Sequence, residues 1–223
     1  MKTTTLKHEK LDYILSVPDD FSEDGKYPLI VFLHGAGGRG TDINMIYSNP
    51  YFEITSKYEF EAVTFAPQCY ANSWFDIFEE LQDFIKFAVS HKFIMTEKVY
   101  LVGASMGGYA VWQMAMTMPR LFAAIVPVCG GGMYWNAGRL KNIKVWAYHG
   151  SEDKTVFVEE SVKMVDAVNA AGGDARLTIC DGVGHNSWIN AYNNKDLFQW
   201  LFAQTNNNEV CEVKGFDNQE MFG

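Results

Sequence analysis

Two kinds of apolar run alternate along this chain. The first kind is short and nearly continuous: LIVFLHG (29–35), AVTFAP (62–67), VYLVG (99–103), LFAAIVPVCGG (121–131), IKVWAYHG (143–150) and ARLTICDG (175–182). Unbroken apolar runs of this length, rich in β-branched residues, predict strands buried on both faces. LDYILSV (11–17) reads as one more strand, followed by the polar, turn-rich PDDFSEDGKYP. In the second kind, apolar residues recur at helical spacing. SWFDIFEELQDFIKFAVSH (73–91) has acids early, where the helix dipole favours them. The stretch 105–118 is stopped by Pro119, and VFVEESVKMVDAVNAAGG (156–173) ends on Gly172 and Gly173. NSWINAYNNKDLFQWLFAQ (186–204) reads as the last helix.

Strands alternating with helices predict an α/β fold: a mostly parallel central sheet with helices on both faces. Neither an internal repeat nor a dividing linker interrupts the pattern, so residues 1–204 are expected to form a single domain. The remainder, TNNNEVCEVKGFDNQEMFG (205–223), is polar and aperiodic and reads as a tail.

Where VYLV meets the helix, the chain reads Gly103-Ala104-Ser105-Met106-Gly107, with Gly108 next. A strand that turns into a helix over so few residues bends sharply and brings backbones close, which calls for glycine. Ser105 is then expected at the apex, in front of a helix N-terminus. In such sheets ligands and reacting groups gather at the carboxyl ends of the strands. Just past the other strands stand His34-Gly35-Ala36-Gly37-Gly38, His149-Gly150-Ser151-Glu152-Asp153 and Asp181-Gly182-Val183-Gly184-His185. A serine, an acid and a histidine thus occur in the chain order Ser105, Asp153, His185.

That order, with a GxSxG turn and a glycine-rich loop after an earlier strand, resembles the α/β-hydrolase fold from about Leu29 to Gln204. Within it, LHGAGGRG, APQCYANSW, VGASMGGYA, HGSEDKTV and GVGHNSW look like small microbial esterases. The similar families are the carboxylesterase/phospholipase and polyhydroxybutyrate-depolymerase/feruloyl-esterase types, and chains called predicted peptidases or dienelactone-hydrolase-like. A dienelactone hydrolase more typically carries cysteine where this chain has Ser105.

The resemblance implies ester hydrolysis through an acyl-enzyme. Ser105 would be the nucleophile, His185 its general base and later acid, and Asp153 the carboxylate that holds the histidine. Asp153 fits the pattern HGxxDxxV, here His149-Gly150-Ser151-Glu152-Asp153-Lys154-Thr155-Val156. Its rivals are Glu152 and Asp181, and Asp181 reads as a shaper of the histidine loop. The expected oxyanion donors are the backbone N–H groups of Met106 and Ala36, with Gly35 or Gly37 as alternatives to Ala36. His34 and His149 read as structural, and His8 and His91 as surface residues.

Aromatic residues crowd the loops past the strands: Tyr70, Trp74, Phe75, Tyr134, Trp135 and Trp188. Trp74 and Trp188 are the candidate substrate contacts, suited to stacking on a sugar or a phenolic acyl group. The stretch between the strands ending near Cys129 and starting near Ile143 is too short for a large lid domain, so an open site is expected.

The net charge of −9 argues against nucleic acid and anionic membranes as partners. Cys69, Cys129, Cys180 and Cys211 show no zinc-type spacing and read as free thiols of a reducing compartment, Cys129 and Cys180 as small buried hydrophobes. The N-terminal stretch MKTTTLKHEKLDYILSV has no secretory h-region, which makes a cytoplasmic location the expectation. No metal or organic cofactor is called for. The expected partner is a small-molecule or oligosaccharide ester, of acetyl or feruloyl type. Two other readings stay open: a serine peptidase or acyl-thioesterase using the same three residues, and a hydrolase-fold binding protein without turnover.

Overall fold

The computed structural model describes residues 1–58 and 60–206. Its strands, among the described residues, are β1 (Lys2–His8), β2 (Leu11–Val17), β3 (Tyr27–Leu33), β4 (Val63–Pro67), β5 (Ile94–Ala104), β6 (Ala124–Val128), β7 (Lys144–Gly150) and β8 (Asp174–Cys180). They form one sheet in the order β1-β2-β4-β3-β5-β6-β7-β8. From β4 to β8 the neighbours are parallel, and β2 joins β4 antiparallel.

Each central strand splits its side chains between two cores. Leu29, Val31 and Leu33 face one, packed under α3 (Phe78–Val89), α4 (Met106–Thr117) and α5 (Glu159–Ala170). Ile30 and Phe32 face the other, beneath α1 (Asn44–Tyr47), α2 (Pro50–Thr55), α6 (Trp188–Tyr192) and α7 (Lys195–Ala203). Burying one such side chain contributes about 1.5–3 kcal/mol, so strands apolar at every position are stable only with both faces covered.

The structure adds β1, which the apolar pattern does not announce. KTTTLKH is exposed along nearly its whole length and is held by antiparallel pairing to β2, from Lys2 opposite Val17 to His8 opposite Leu11. Threonine-rich, lysine-flanked edge strands need no buried face. Several expected boundaries also contract. The 73–91 helix begins at Phe78, because Ser73 and Asp76 exchange side-chain-to-backbone hydrogen bonds in a turn before it. The 156–173 helix begins at Glu159, and the 121–131 strand covers Ala124–Val128. The expected 186–204 helix is two helices, broken where the Asn194 side chain caps α7 by accepting from the Asp196 N–H.

His8 and His91 are half-buried rather than surface residues. His8 stacks on Phe87 with centroids 3.8 Å apart, and His91 packs among Phe65, Phe87 and Phe93. Cys69, Cys129 and Cys180 are free thiols; Cys180 lies on the edge strand and is only partly covered. Cys211 and most of the expected tail lie outside the described residues. No helix among the described residues is long and apolar enough to cross a membrane.

Candidate active site

The sheet's order reverses at β3: β4 lies on one side of it and β5 on the other. Chains leaving β3 and β5 therefore part in opposite directions and open a crevice at the carboxyl edge. Strand register lines up what stands there. Leu33 is opposite Gly103, Ala104 opposite Val128, Val128 opposite Tyr148, and Gly150 opposite Cys180. The residues that follow, His34, Ser105, Cys129, His149 and the loop to His185, converge along one edge.

Ser105 has φ 57° and ψ −120°, a conformation an L-residue adopts only under constraint. Its N–H donates to the Val128 carbonyl, and its own carbonyl accepts from Tyr109 N–H. The bend is possible because Gly103 and Gly107 lack side chains. A Cβ on Gly103 would lie 2.7 Å from the Leu33 carbonyl oxygen, and one on Gly107 would collide with the same atom.

The acid and histidine loops are stitched to each other. Ser151 N–H donates to Cys180 O, Glu152 N–H to Val183 O, and Gly182 N–H to Ser151 Oγ. His185 Nδ1 then donates to Asp153 Oδ2 at 2.7 Å, while its Nε2 lies 2.8 Å from Ser105 Oγ. Ser105, His185 and Asp153 thus form one hydrogen-bonded chain. Glu152 and Asp181 are exposed, outside it.

The Asp153 carboxylate is buried. Burial alone pushes its carboxyl up, but hydrogen bonds from His185 and from the N–H groups of Val156 and Thr155 outweigh burial and hold it below the ordinary value. It stands as a negative charge beside the histidine.

Comparison with known proteins points to the same fold. The model of the prolyl oligopeptidase family matches residues 63–137, the stretch from β4 through the serine bend. A probable feruloyl esterase C of Aspergillus terreus is 26% identical over 162 residues, covering 70% of this chain and 59% of that protein. A solved thermostable esterase superimposes with a TM-score of 0.76 and 33% identity, over 92% of this chain and 63% of that one. The chain has the α/β-hydrolase fold and is similar to esterases. It spans about three fifths of the length of those two relatives. A solved ferulic acid esterase shares the fold at 14% identity, with a TM-score of 0.71 over 90% of this chain and 97% of that one.

The loop after β3 is braced from below. Ala36 opens a short 3-10 turn and Met106 opens α4, so both N–H groups stand at helix starts, where no intrahelical acceptor reaches them. The loop lies against the serine: a Cβ on Gly35 would come 3.5 Å from Ser105 Cβ. His34 is fully buried beneath it. Its Nδ1–H donates to Gly35 O at 2.6 Å, and its Nε2 accepts from Cys69 N–H at 2.9 Å.

Trp74 corrects an expectation. It is fully enclosed, donates its indole N–H to His34 O at 3.0 Å and packs against the His34 ring. It therefore braces the loop and does not meet a substrate. Its indole is the right size to fill the space under a glycine-rich loop, which sequence alone cannot distinguish from lining the mouth. Trp188 is half-buried, with its ring edge-on to His185 at 5.4 Å. Tyr70, Phe75, Tyr134 and Trp135 are exposed, Trp135 most of all at 73%.

Sequence reading passed over Arg39, whose Nε donates to Ala36 O and whose Nη1 donates to Asn72 O. A crevice of about 460 Å³ opens beside it, lined by Arg39, Gly40, Tyr70, Ala71, Asn72 and Asp76. Ser105 and His185 do not line this crevice, so it does not enclose the serine. Phe157, 64% exposed on the acid loop, is a further aromatic that helical spacing concealed.

Cys129 Sγ, the Asp153 carboxylate and the His185 ring place donor atoms within 4.8 Å of one another, a spacing that could receive a metal ion. Burial pushes the Cys129 thiol up to about 12, so it is protonated at neutral pH. The other two groups are already bonded to each other.

His34 makes stability depend on pH. Burial lowers its imidazole to about 4 from an ordinary 6.5. Between those values the unfolded chain binds a proton that the folded one refuses, so stability falls as pH drops through that window, by roughly 3 kcal/mol in all. Urea unfolding midpoints of the wild type are expected to decline from pH 6.5 to 4. His34→Asn should start lower and show a flatter decline. An equal slope in the two proteins would exclude His34 as the source.

Proposed function

We propose that this hydrolase is a serine carboxylesterase acting on small or carbohydrate-linked esters of acetyl or feruloyl type. The observation that carries the reading is the unbroken hydrogen-bonded chain Ser105 Oγ–His185–Asp153 at 2.8 and 2.7 Å. Ser105 Oγ attacks the ester carbonyl while His185 Nε2 takes its proton, and Asp153 stabilises the imidazolium that results. The oxyanion is received by the N–H groups of Met106 and Ala36, donors whose positions do not reorganise during reaction. His185 returns the proton to the departing alcohol. Water, deprotonated by the same nitrogen, then attacks the acyl-enzyme and frees the acid.

Support for a phenolic or sugar-linked substrate comes from the feruloyl esterase relative and from Trp188, whose ring stands edge-on to His185. A peptidase reading has one observation behind it, the prolyl oligopeptidase match over residues 63–137. That segment holds the serine bend but not Asp153 or His185, so it bears on the nucleophile and not on the leaving group.

The test is an initial-rate panel: p-nitrophenyl acetate, butyrate and octanoate, methyl ferulate, an acetylated xylo-oligosaccharide, and a peptide p-nitroanilide, each with wild type and Ser105→Ala. The expected result is a preference for the ferulate or the acetylated sugar that disappears in the variant. Turnover of the anilide with inert esters would overturn the esterase reading in favour of a peptidase.

A further inference from the structure

His149 was expected to be structural, yet its ring touches the triad acid. It stands at the end of β7, fully buried, with Nε2 3.3 Å from Asp153 Oδ2 and 2.9 Å from Val156 O. A carbonyl can only accept, so Nε2 carries a proton. Its Nδ1 lies 2.7 Å from Ser161 Oγ on α5, and that oxygen lies 2.9 Å from Gly130 O in the loop after β6. The ring is gripped at one end by the loop that carries Asp153 and at the other by α5.

A carboxylate offers about four acceptor positions. On Asp153, Oδ1 takes two of them with the N–H groups of Thr155 and Val156, both at 2.9 Å. Oδ2 takes His185 Nδ1–H, which leaves one position. We propose that His149 is the positioning residue that fixes the Asp153 carboxylate plane for His185: its Nε2 proton holds the Val156 carbonyl, the N–H of Val156 donates to Asp153 Oδ1, and the ring closes off Oδ2 at 3.3 Å. With an apolar ring in its place, the Val156 carbonyl has no donor there, and nothing opposes a shift of the loop whose Thr155 and Val156 N–H groups hold Oδ1, which tilts Oδ2 away from His185. Misplacement on that scale can cost about a hundredfold in rate with substrate binding untouched.

The proposal rests on the triad chemistry proposed above, so its test separates the two. The variants are His149→Phe, His149→Gln and Ser161→Ala, the last loosening the ring from its far side if His149→Phe fails to fold. Rates are read both by ester turnover and by fluorophosphonate labelling of Ser105. The His185 Nδ1 proton, followed by NMR, reports the Asp153 hydrogen bond independently of turnover. We expect His149→Phe to lower kcat about ten- to a hundredfold at unchanged KM and to shift or broaden that proton signal. His149→Gln, which keeps an N–H donor, should recover part of the rate. In an Asp153→Asn background the His149 effect should vanish, because its target is gone. A folded His149→Phe with wild-type kcat and proton signal overturns the proposal. So does an equal loss in the Asp153→Asn background, which would make His149 a packing residue. A wild type that neither labels nor hydrolyses any ester sinks the esterase reading instead, and the NMR comparison still decides whether His149 orients Asp153.

Discussion

Ser105→Ala is expected to abolish fluorophosphonate labelling and to lower kcat/KM on the preferred ester by a factor on the order of 10⁵ or more. The hydroxyl is the only part of Ser105 that the proposed reaction uses. Its removal leaves the strained φ of 57°, the Val128 and Tyr109 backbone hydrogen bonds and the flanking glycines as they were. Alanine carries the same Cβ and the same backbone cost as serine, so the unfolding midpoint should stay near wild type. What is lost in the fold is one hydrogen bond to a partly exposed His185, worth about 1 kcal/mol. Intact-mass spectrometry after probe treatment gives the first answer, and the ester panel the second. A variant that still labels, or still hydrolyses at a tenth of the wild-type rate, would show that another residue is the nucleophile.

Asp153→Asn should lower kcat by a factor on the order of 10⁴. The environment of the side chain explains why the amide cannot substitute. If Oδ1 keeps the N–H groups of Thr155 and Val156, the new NH₂ faces His185 Nδ1–H, a donor. If the amide turns over, its NH₂ faces the two backbone N–H groups instead. Either way a buried donor meets a donor, or His185 shifts to the tautomer that cannot accept the Ser105 proton. Asp181→Asn and Glu152→Gln, on exposed neighbours, should remain near wild type. Steady-state kinetics on all three variants checks this. An inactive Asp181→Asn beside an active Asp153→Asn would reassign the acid.

Much of the architecture was legible because its cause is local. Strands such as 29–35 and 99–103 are apolar at every position, and only a sheet covered on both faces gives such strands a home. The bend at Ser105 was legible because the close approach of two backbones writes itself as glycines in one short stretch. Strand β1 was not, because an edge strand is held by backbone pairing to β2 and leaves no mark in side-chain hydrophobicity.

At the site, residue types and their order along the chain were within reach of the sequence, because groups that gather at strand ends follow the strands directly. Which way each side chain faces was not. Trp74 and Trp188 both sit in loops past strands, yet one is sealed under the glycine loop and the other stands edge-on to His185. Asp153 and Asp181 both precede His185, and spatial contact across 32 residues, not sequence nearness, brings Asp153 to the ring. His149 looks like any histidine at a strand end until α5 and the β6 loop close around it. The sequence by itself therefore determined the layers, the bend and the cast of polar residues. Burial and hydrogen-bond partnership were decided only by tertiary structure, because both depend on atoms contributed by segments distant along the chain.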